Sequence, residues 1–322
     1  MNFSLFWQIF DNMFIAVGKI FLVAFIGGIL VRRKVLSREH IQGLSEATVK
    51  VFLPSLVITN ILSTFKPASI GNWWILPLVG IVAPMILLGI AMLFFLPNLK
   101  QNLSKLPLAS FQNAGYLVLP VGQIIFPDQF DQFALYVFLF LLGFTPILWS
   151  IGKMLITKEH EEKFRIKGLF TPPFVANILG VVMVFLHLNK IPAIIFEPIE
   201  LLGKATIPVA TFILGATIGA ISLKKLPNFW LVTKLISVKY ILSPILTISI
   251  ILLLKLQVTN PLMADFLVIE SSAAPAANLI VMVRKYGGDE QLTASMMFIM
   301  YVMAIVTMPM SLAIWRIIEK MF

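Results

Sequence analysis

ASFQNAGYLVLPVGQIIF (Ala109 to Phe126) and DFLVIESSAAPAANLIVMV (Asp265 to Val283) are the two stretches that decide the fold. Each is long enough to cross a bilayer. Each also carries polar residues, small residues and a proline at mid-depth, where a helix that only spans reads as plain Leu, Ile and Val. A proline removes one backbone donor and clashes with the preceding turn, so the freed groups need protein, water or ligand, because lipid offers no partner. Pro120 and Pro275 are therefore expected to mark two broken helices.

The rest of the chain fits a membrane setting. With 59% hydrophobic residues, 12% charged residues and a mean hydropathy of +0.96, the 322 residues read as an all-α polytopic membrane protein. No strand-like alternation bounded by turns recurs, which argues against a transmembrane barrel. Cysteine is absent, excluding disulfide and thiolate chemistry, and His40, His160 and His187 all fall near segment ends. Neither a nucleophile with its base nor an Asp-rich metal motif occurs in the apolar runs, so no enzyme, metal site or cofactor is expected. The net charge of +10 sits in short loops between apolar runs, which is a topology signal and not a nucleic-acid surface. The first run lacks both a basic flank and a cleavage pattern, so it reads as a mature helix.

At about 20 apolar residues per span, ten spans are expected: 12–31, 41–63, 74–96, 107–127, 132–153, 172–189, 194–222, 229–254, 262–283 and 291–316. Placing the N-terminus outside puts fifteen basic residues in inner loops and five outside, so both termini face out of an inner (cytoplasmic) membrane. Residues 154–171 form a cytoplasmic linker between a first five-helix unit, 1–153, and a second, 172–322. Five spans per unit makes the two units inverted relative to one another. Span two holds Glu46-x-x-x-Lys50-x-x-x-Pro54 and span seven Glu200-x-x-x-Lys204-x-x-x-Pro208, offset by 154 residues, while Pro120 and Pro275 lie 155 apart. The two breaks then fall at similar depth from opposite faces, and spans 4 and 9 cross near the midplane. In secondary transporters, interruptions at matching places of two halves point to the substrate site.

Asn113 seven residues before Pro120, GLSEATVKVFLP at Gly43 to Pro54, and Ala-Pro-Ala followed by Arg-Lys-Tyr-Gly in span nine resemble the auxin efflux carrier family, including its bacterial members. The resemblance covers essentially the whole chain in span number and order. It implies a scaffold domain of spans 1, 2, 6 and 7, a transport domain of spans 3–5 and 8–10, homodimers, an elevator-like or rocking motion, and export or exchange of a small organic anion. Plant members carry a long central loop. Here that loop is about fifteen residues, so regulation by phosphorylation in it is not carried over.

Beyond each break the second half-helix presents unsatisfied N–H groups and the positive end of its dipole, roughly half an elementary charge, which favours a carboxylate. The reading places these ends near Val121 to Gln123 and Ala276 to Asn278. Asn113, Tyr116, Pro120, Gln123, Ser271, Ser272, Pro275 and Asn278 are the expected substrate-binding set, and amides such as Asn113 also serve as interhelical glue. Glu270 has no basic residue within one turn and is the candidate for the coupling ion, either as a proton carrier or as a carboxyl held by packing. A sodium-coupled symporter of the bile-acid type is the alternative, with Glu270, Ser271, Ser272 and Gln123 as oxygen ligands; a passive channel is a third.

Glu46 with Lys50 and Glu200 with Lys204 share helix faces four residues apart. Lys50 and Lys204 are read either as neutralised and snorkelling or as cavity charges that attract an anion, and Lys19 as a weaker cavity candidate. Lys234 and Lys239 have no such spacing. Gly215-x-x-x-Gly219 allows close helix approach. Trp73, Trp74, Trp149, Trp230 and Trp315 sit near span ends, where an aromatic belt is expected.

Overall fold

A computed structural model of the chain describes residues 3–156, 166–220 and 226–321. The principal helices are α1 (Phe3–Arg32), α2 (Arg38–Thr64), α3 (Ile75–Phe94), α4 (Ala114–Ile125), α5 (Pro127–Ile156), α6 (Pro172–Phe185), α7 (Ala193–Gly219), α8 (Phe229–Leu253), α9 (Pro261–Ser271), α10 (Asn278–Tyr286) and α11 (Glu290–Glu319). Seven of them, α1, α2, α3, α5, α7, α8 and α11, are long and apolar enough to cross a membrane. Among the described residues the one departure from helix, turn and coil is an isolated antiparallel bridge between Gln112 and Pro275.

Several prolines shape helices without cutting them. A proline cannot donate to the carbonyl four residues back, and a locally widened turn absorbs the clash. Such five- or six-residue turns precede Pro54 (Thr48–Phe52), Pro120 (Ala114–Val118) and Pro244 (Ser237–Leu242). Pro120 therefore lies inside α4 and does not break it, contrary to the sequence expectation. The break comes earlier. The turn Pro107–Ser110 ends at Phe111, whose φ −112° and ψ 116° are extended, and Asn113 then caps the next helix by accepting from the Tyr116 N–H at 3.1 Å. The other break, between Ser271 and Asn278, does contain Pro275. Pro275 thus faces Gln112 across the bridge, and the 155-residue spacing of Pro120 and Pro275 does not relate equivalent break points.

Close helix approach fixes the packing around this core. Gly27 and Gly28 of α1 lie against α7, and a Cβ at Gly215 or Gly219 would overlap the backbone of Ala24 or Gly28. The small-residue motif in α7 is therefore an intrachain seam. α6 and α7 pack on α2, α3 packs on α5, and α1 lies against both α7 and α11.

Buried polar ties join distant segments. Asn177 Nδ2 donates to the Phe138 carbonyl at 2.6 Å, and the Tyr240 hydroxyl to the Met300 carbonyl at 2.6 Å. One reading changes here. Trp315, assigned to an interfacial belt, is fully buried and donates Nε1 to Asp265 at 3.0 Å, beside the pair that Asp265 makes with Arg316 at 2.5 Å. Lys158, His160, Glu161, Lys163 and Arg165 of the linker, with Lys224 and Lys225, lie outside the described residues.

Gly215→Leu is expected to destabilise the protein by about 1–3 kcal/mol through overpacking of the α1–α7 seam. Gly43→Ala, where a Cβ meets nothing within 4 Å, serves as the control. Thermal unfolding in detergent distinguishes them; equal melting of both variants would refute the seam.

Candidate functional site

The two breaks are held together by backbone. Asn113 N–H donates to the Ala274 carbonyl at 2.9 Å and Ala276 N–H to the Phe111 carbonyl at 2.9 Å. Outside regular helix, buried backbone groups need partners, and each break supplies them for the other. Side chains reinforce the clasp. Asn113 Nδ2 donates to the Tyr301 hydroxyl at 2.6 Å, and that hydroxyl donates to the Pro275 carbonyl at 2.8 Å. Asn113 is 4% exposed and Tyr301 1%, so one tyrosine of α11 ties both breaks in a buried setting.

The paired breaks form one wall of a cavity of about 460 Å³. Gln112, Asn113, Gly115, Tyr116, Ala276 and Asn278 border it from the breaks, and Glu46 and Lys50 from α2. Lys285, Tyr286, Phe144 and Trp149 complete the mixed aromatic and cationic lining. A helix leaves its first N–H groups without intrahelical partners. Asn113 takes that of Tyr116, and Ala114 and Gly115 of the same first turn border the cavity. Lys50 Nζ is 2.8 Å from Glu46, in a pair exposed to the cavity. Lys153 Nζ lies 3.7 Å over the ring of Tyr286.

A second cavity, of about 240 Å³, borders the opposite end of α2. Gln123, Glu200, Lys204, Asn60 and Ser63 line it. Lys204 pairs with Glu200 at 3.3 Å. Each Glu-x-x-x-Lys motif therefore opens on its own cavity.

The structure divides the sequence-derived set. Asn113, Tyr116 and Asn278 border the large cavity with Lys50, while Gln123 and Lys204 border the other one. Pro120 is buried inside α4. Pro275 serves through its carbonyl. Ser271 and Ser272 give their hydroxyls to carbonyls of their own helix, both reaching that of Val268, at 2.8 and 3.1 Å. Glu270 lies apart, in a small cavity of about 50 Å³ shared with Gln112, Ser243 and Ser271. Glu270, Ser271, Ser272 and Gln123 therefore do not assemble into one ligand shell. Lys19 is exposed on α1 and borders none of these three cavities. Lys234 donates to the Phe94 carbonyl at 2.9 Å, capping the end of α3.

Three participants escaped sequence reading. Gln112 borders both the large and the small cavity. Tyr301 is separated from Asn113 by 188 residues, and its only sequence signal is a phenol within an apolar run. Lys239, fully buried on α8, looked like one more unpaired lysine.

Compared with known proteins, residues 12–312 match the family described as membrane transport protein. The chain belongs to that family, which includes the auxin efflux carriers. It is also 26% identical over 271 residues to an uncharacterised transporter of Methanocaldococcus jannaschii, covering 82% of this chain and 86% of the relative. The protein is thus a multi-pass membrane transporter by family, and the two bridged breaks lie within the matched region.

Tyr301→Phe is expected to cost about 1–3 kcal/mol of stability, because it strands the Asn113 amide and the Pro275 carbonyl in a buried site. An unchanged unfolding midpoint would show that the hydroxyl does not clasp the breaks.

Proposed function

We propose that the protein is a secondary active transporter of a small organic anion, such as a carboxylate, working by efflux or exchange through alternating access at the crossing. The observation that carries this reading is the large cavity walled by the two breaks, with the first turn of α4, amides and two lysines on its border. Those groups suit an anion: helix N-termini contribute partial positive charge, and Asn113, Gln112 and Asn278 supply donors. The apolar and aromatic part of the lining suits the body of an organic acid.

Ten spans as a five-plus-five inverted repeat follow naturally on this reading. α4 with the turn before it makes one span, and α9 with α10 another. The paired motifs in opposite cavities support the inversion: Glu46 and Lys50 border the cavity on the linker side, Glu200 and Lys204 the other. Basic residues place the linker side in the cytoplasm. Alternating access then exposes one crossing to either cavity in turn, by relative movement of a scaffold (spans 1, 2, 6 and 7) and a transport domain (spans 3–5 and 8–10), in a homodimer.

The function is tested by counterflow of labelled carboxylates in liposomes. Saturable exchange that weakens at least several-fold in Asn113→Ala supports the reading; linear, non-saturating flux indicates a channel. The topology has its own test, made clean by the absence of native cysteine. Ser45→Cys, in the large cavity, is expected to react with an impermeant maleimide from the cytoplasmic face, and Ser63→Cys, in the second, from the outer face. Labelling of both from one face rejects the inverted arrangement.

A further inference from the structure

The connection from α1 to α2, on the linker side of the molecule, gathers cations that neither large cavity nor crossing uses. Arg32, Arg33, Lys34 and Arg38 stand close together in the chain, and all four are exposed. Three of them, Arg32, Lys34 and Arg38, border one cavity of about 380 Å³, with Ser37 beside them and Gly219 and Ala220 at the end of α7 opposite. Among the described residues no acid borders this cavity, and none of the three cations makes an ion pair. Arg33, on the same turn, does not border it.

The backbone explains why the charges collect here. α1 ends in a turn through Lys34, whose φ of 59° is left-handed, and the N–H groups of Arg33, Lys34, Val35 and Leu36 take the carbonyls of Ile29, Leu30 and Val31. With the carbonyl end of α1 closed, the chain reverses at once into α2, where Ser37 caps the helix by accepting from the His40 N–H at 3.3 Å. The start of α2 adds the positive end of a helix dipole beside the cavity, a setting that suits phosphate. A second cavity, of about 130 Å³, adjoins the first through Leu36 and lies deeper along α7. Leu30, Ile41, Leu44, Phe212 and Ile213 make it apolar, with His40 at its edge. A cavity of about 150 Å³ lined by Leu, Ile and Phe stays dry and accepts hydrocarbon.

We infer that the two adjoining cavities form one binding site for an anionic phospholipid. The headgroup phosphate sits among Arg32, Lys34 and Arg38, and part of an acyl chain fills the apolar cavity between α1, α2 and α7. Basic residues scattered in a loop attract any anion to the surface. Three of them on one cavity, with an apolar cavity joined to it at membrane depth, select an anion that carries hydrocarbon. The bound lipid bridges the ends of α1, α2 and α7. The site shares no bordering residue with the large cavity or with the one lined by Glu200 and Lys204, so it stands whether or not those carry an organic anion.

The test is native mass spectrometry of the detergent-purified full chain at fixed ionic strength, titrated with phosphatidylglycerol, phosphatidylcholine or glycerol phosphate. Wild type is expected to bind phosphatidylglycerol at least ten-fold more tightly than either of the others. At about five-fold per interfacial charge, Arg32→Gln with Arg38→Gln should weaken that binding roughly twenty-five-fold. Arg33→Gln with Lys100→Gln removes the same charge from exposed positions that border neither cavity, and should leave it within about two-fold. Lys34→Gln alone, on the exposed turn, should weaken it about five-fold and decides the matter if the first double variant does not fold. Equal binding of the two phospholipids, or equal losses in the two double variants, would reduce the cluster to general surface charge and overturn the inference. Glycerol phosphate binding as tightly as phosphatidylglycerol would overturn it too, since the site would then take free phosphate without a chain.

Discussion

Two backbone hydrogen bonds, Asn113 to Ala274 and Ala276 to Phe111, are the constraint on which the rest of the structure depends. A helix interrupted inside a bilayer exposes donors and acceptors that hydrocarbon cannot satisfy. Here two interruptions satisfy one another, and Tyr301 adds a side-chain tie to both. Because neither break is stable alone, the two halves of the chain must meet at this point. The same pairing brings helix termini and amides to the edge of the large cavity, so the requirement that builds the fold also builds the polar wall of the site.

Charge placement follows a similar economy. Glu46 and Glu200 accompany Lys50 and Lys204 one helical turn away, which lets lysines reach the two cavities at low cost. Asp265 is compensated by Arg316 and Trp315. Among the described residues, the Glu270 carboxylate oxygens and Lys239 Nζ are buried without a hydrogen-bond partner, and Gln112 borders both the small cavity beside Glu270 and the large one.

Much of this architecture was legible in the residues, for physical reasons. Long apolar runs locate helices because the bilayer sets their length, and Pro275 sits in its break because a proline flanked by alanines and serines offers no packing to hold a helix together. Glu-x-x-x-Lys spacing reads directly as a pair on one face. The break at Phe111 was misplaced to Pro120 because a widened turn can absorb a proline, while a capping asparagine can start a new helix without one. Tyr301 was unreadable for a different reason. Its partner lies 188 residues away in the chain, and no local period reports a contact made across helices.

The central claim is that an anion binds where the two breaks meet. Gly115 borders that cavity, and a side chain added there meets nothing within 4 Å, so a single cysteine at this position probes the site with little disturbance. Its rate of modification by a small thiol reagent in transport-competent vesicles, with and without the exchanged anion, is the most direct measurement. The account predicts that the transported anion protects Gly115→Cys in proportion to its occupancy, and that anions which are not exchanged leave the rate unchanged. Undiminished modification at saturating concentrations of an anion that is being transported would contradict it.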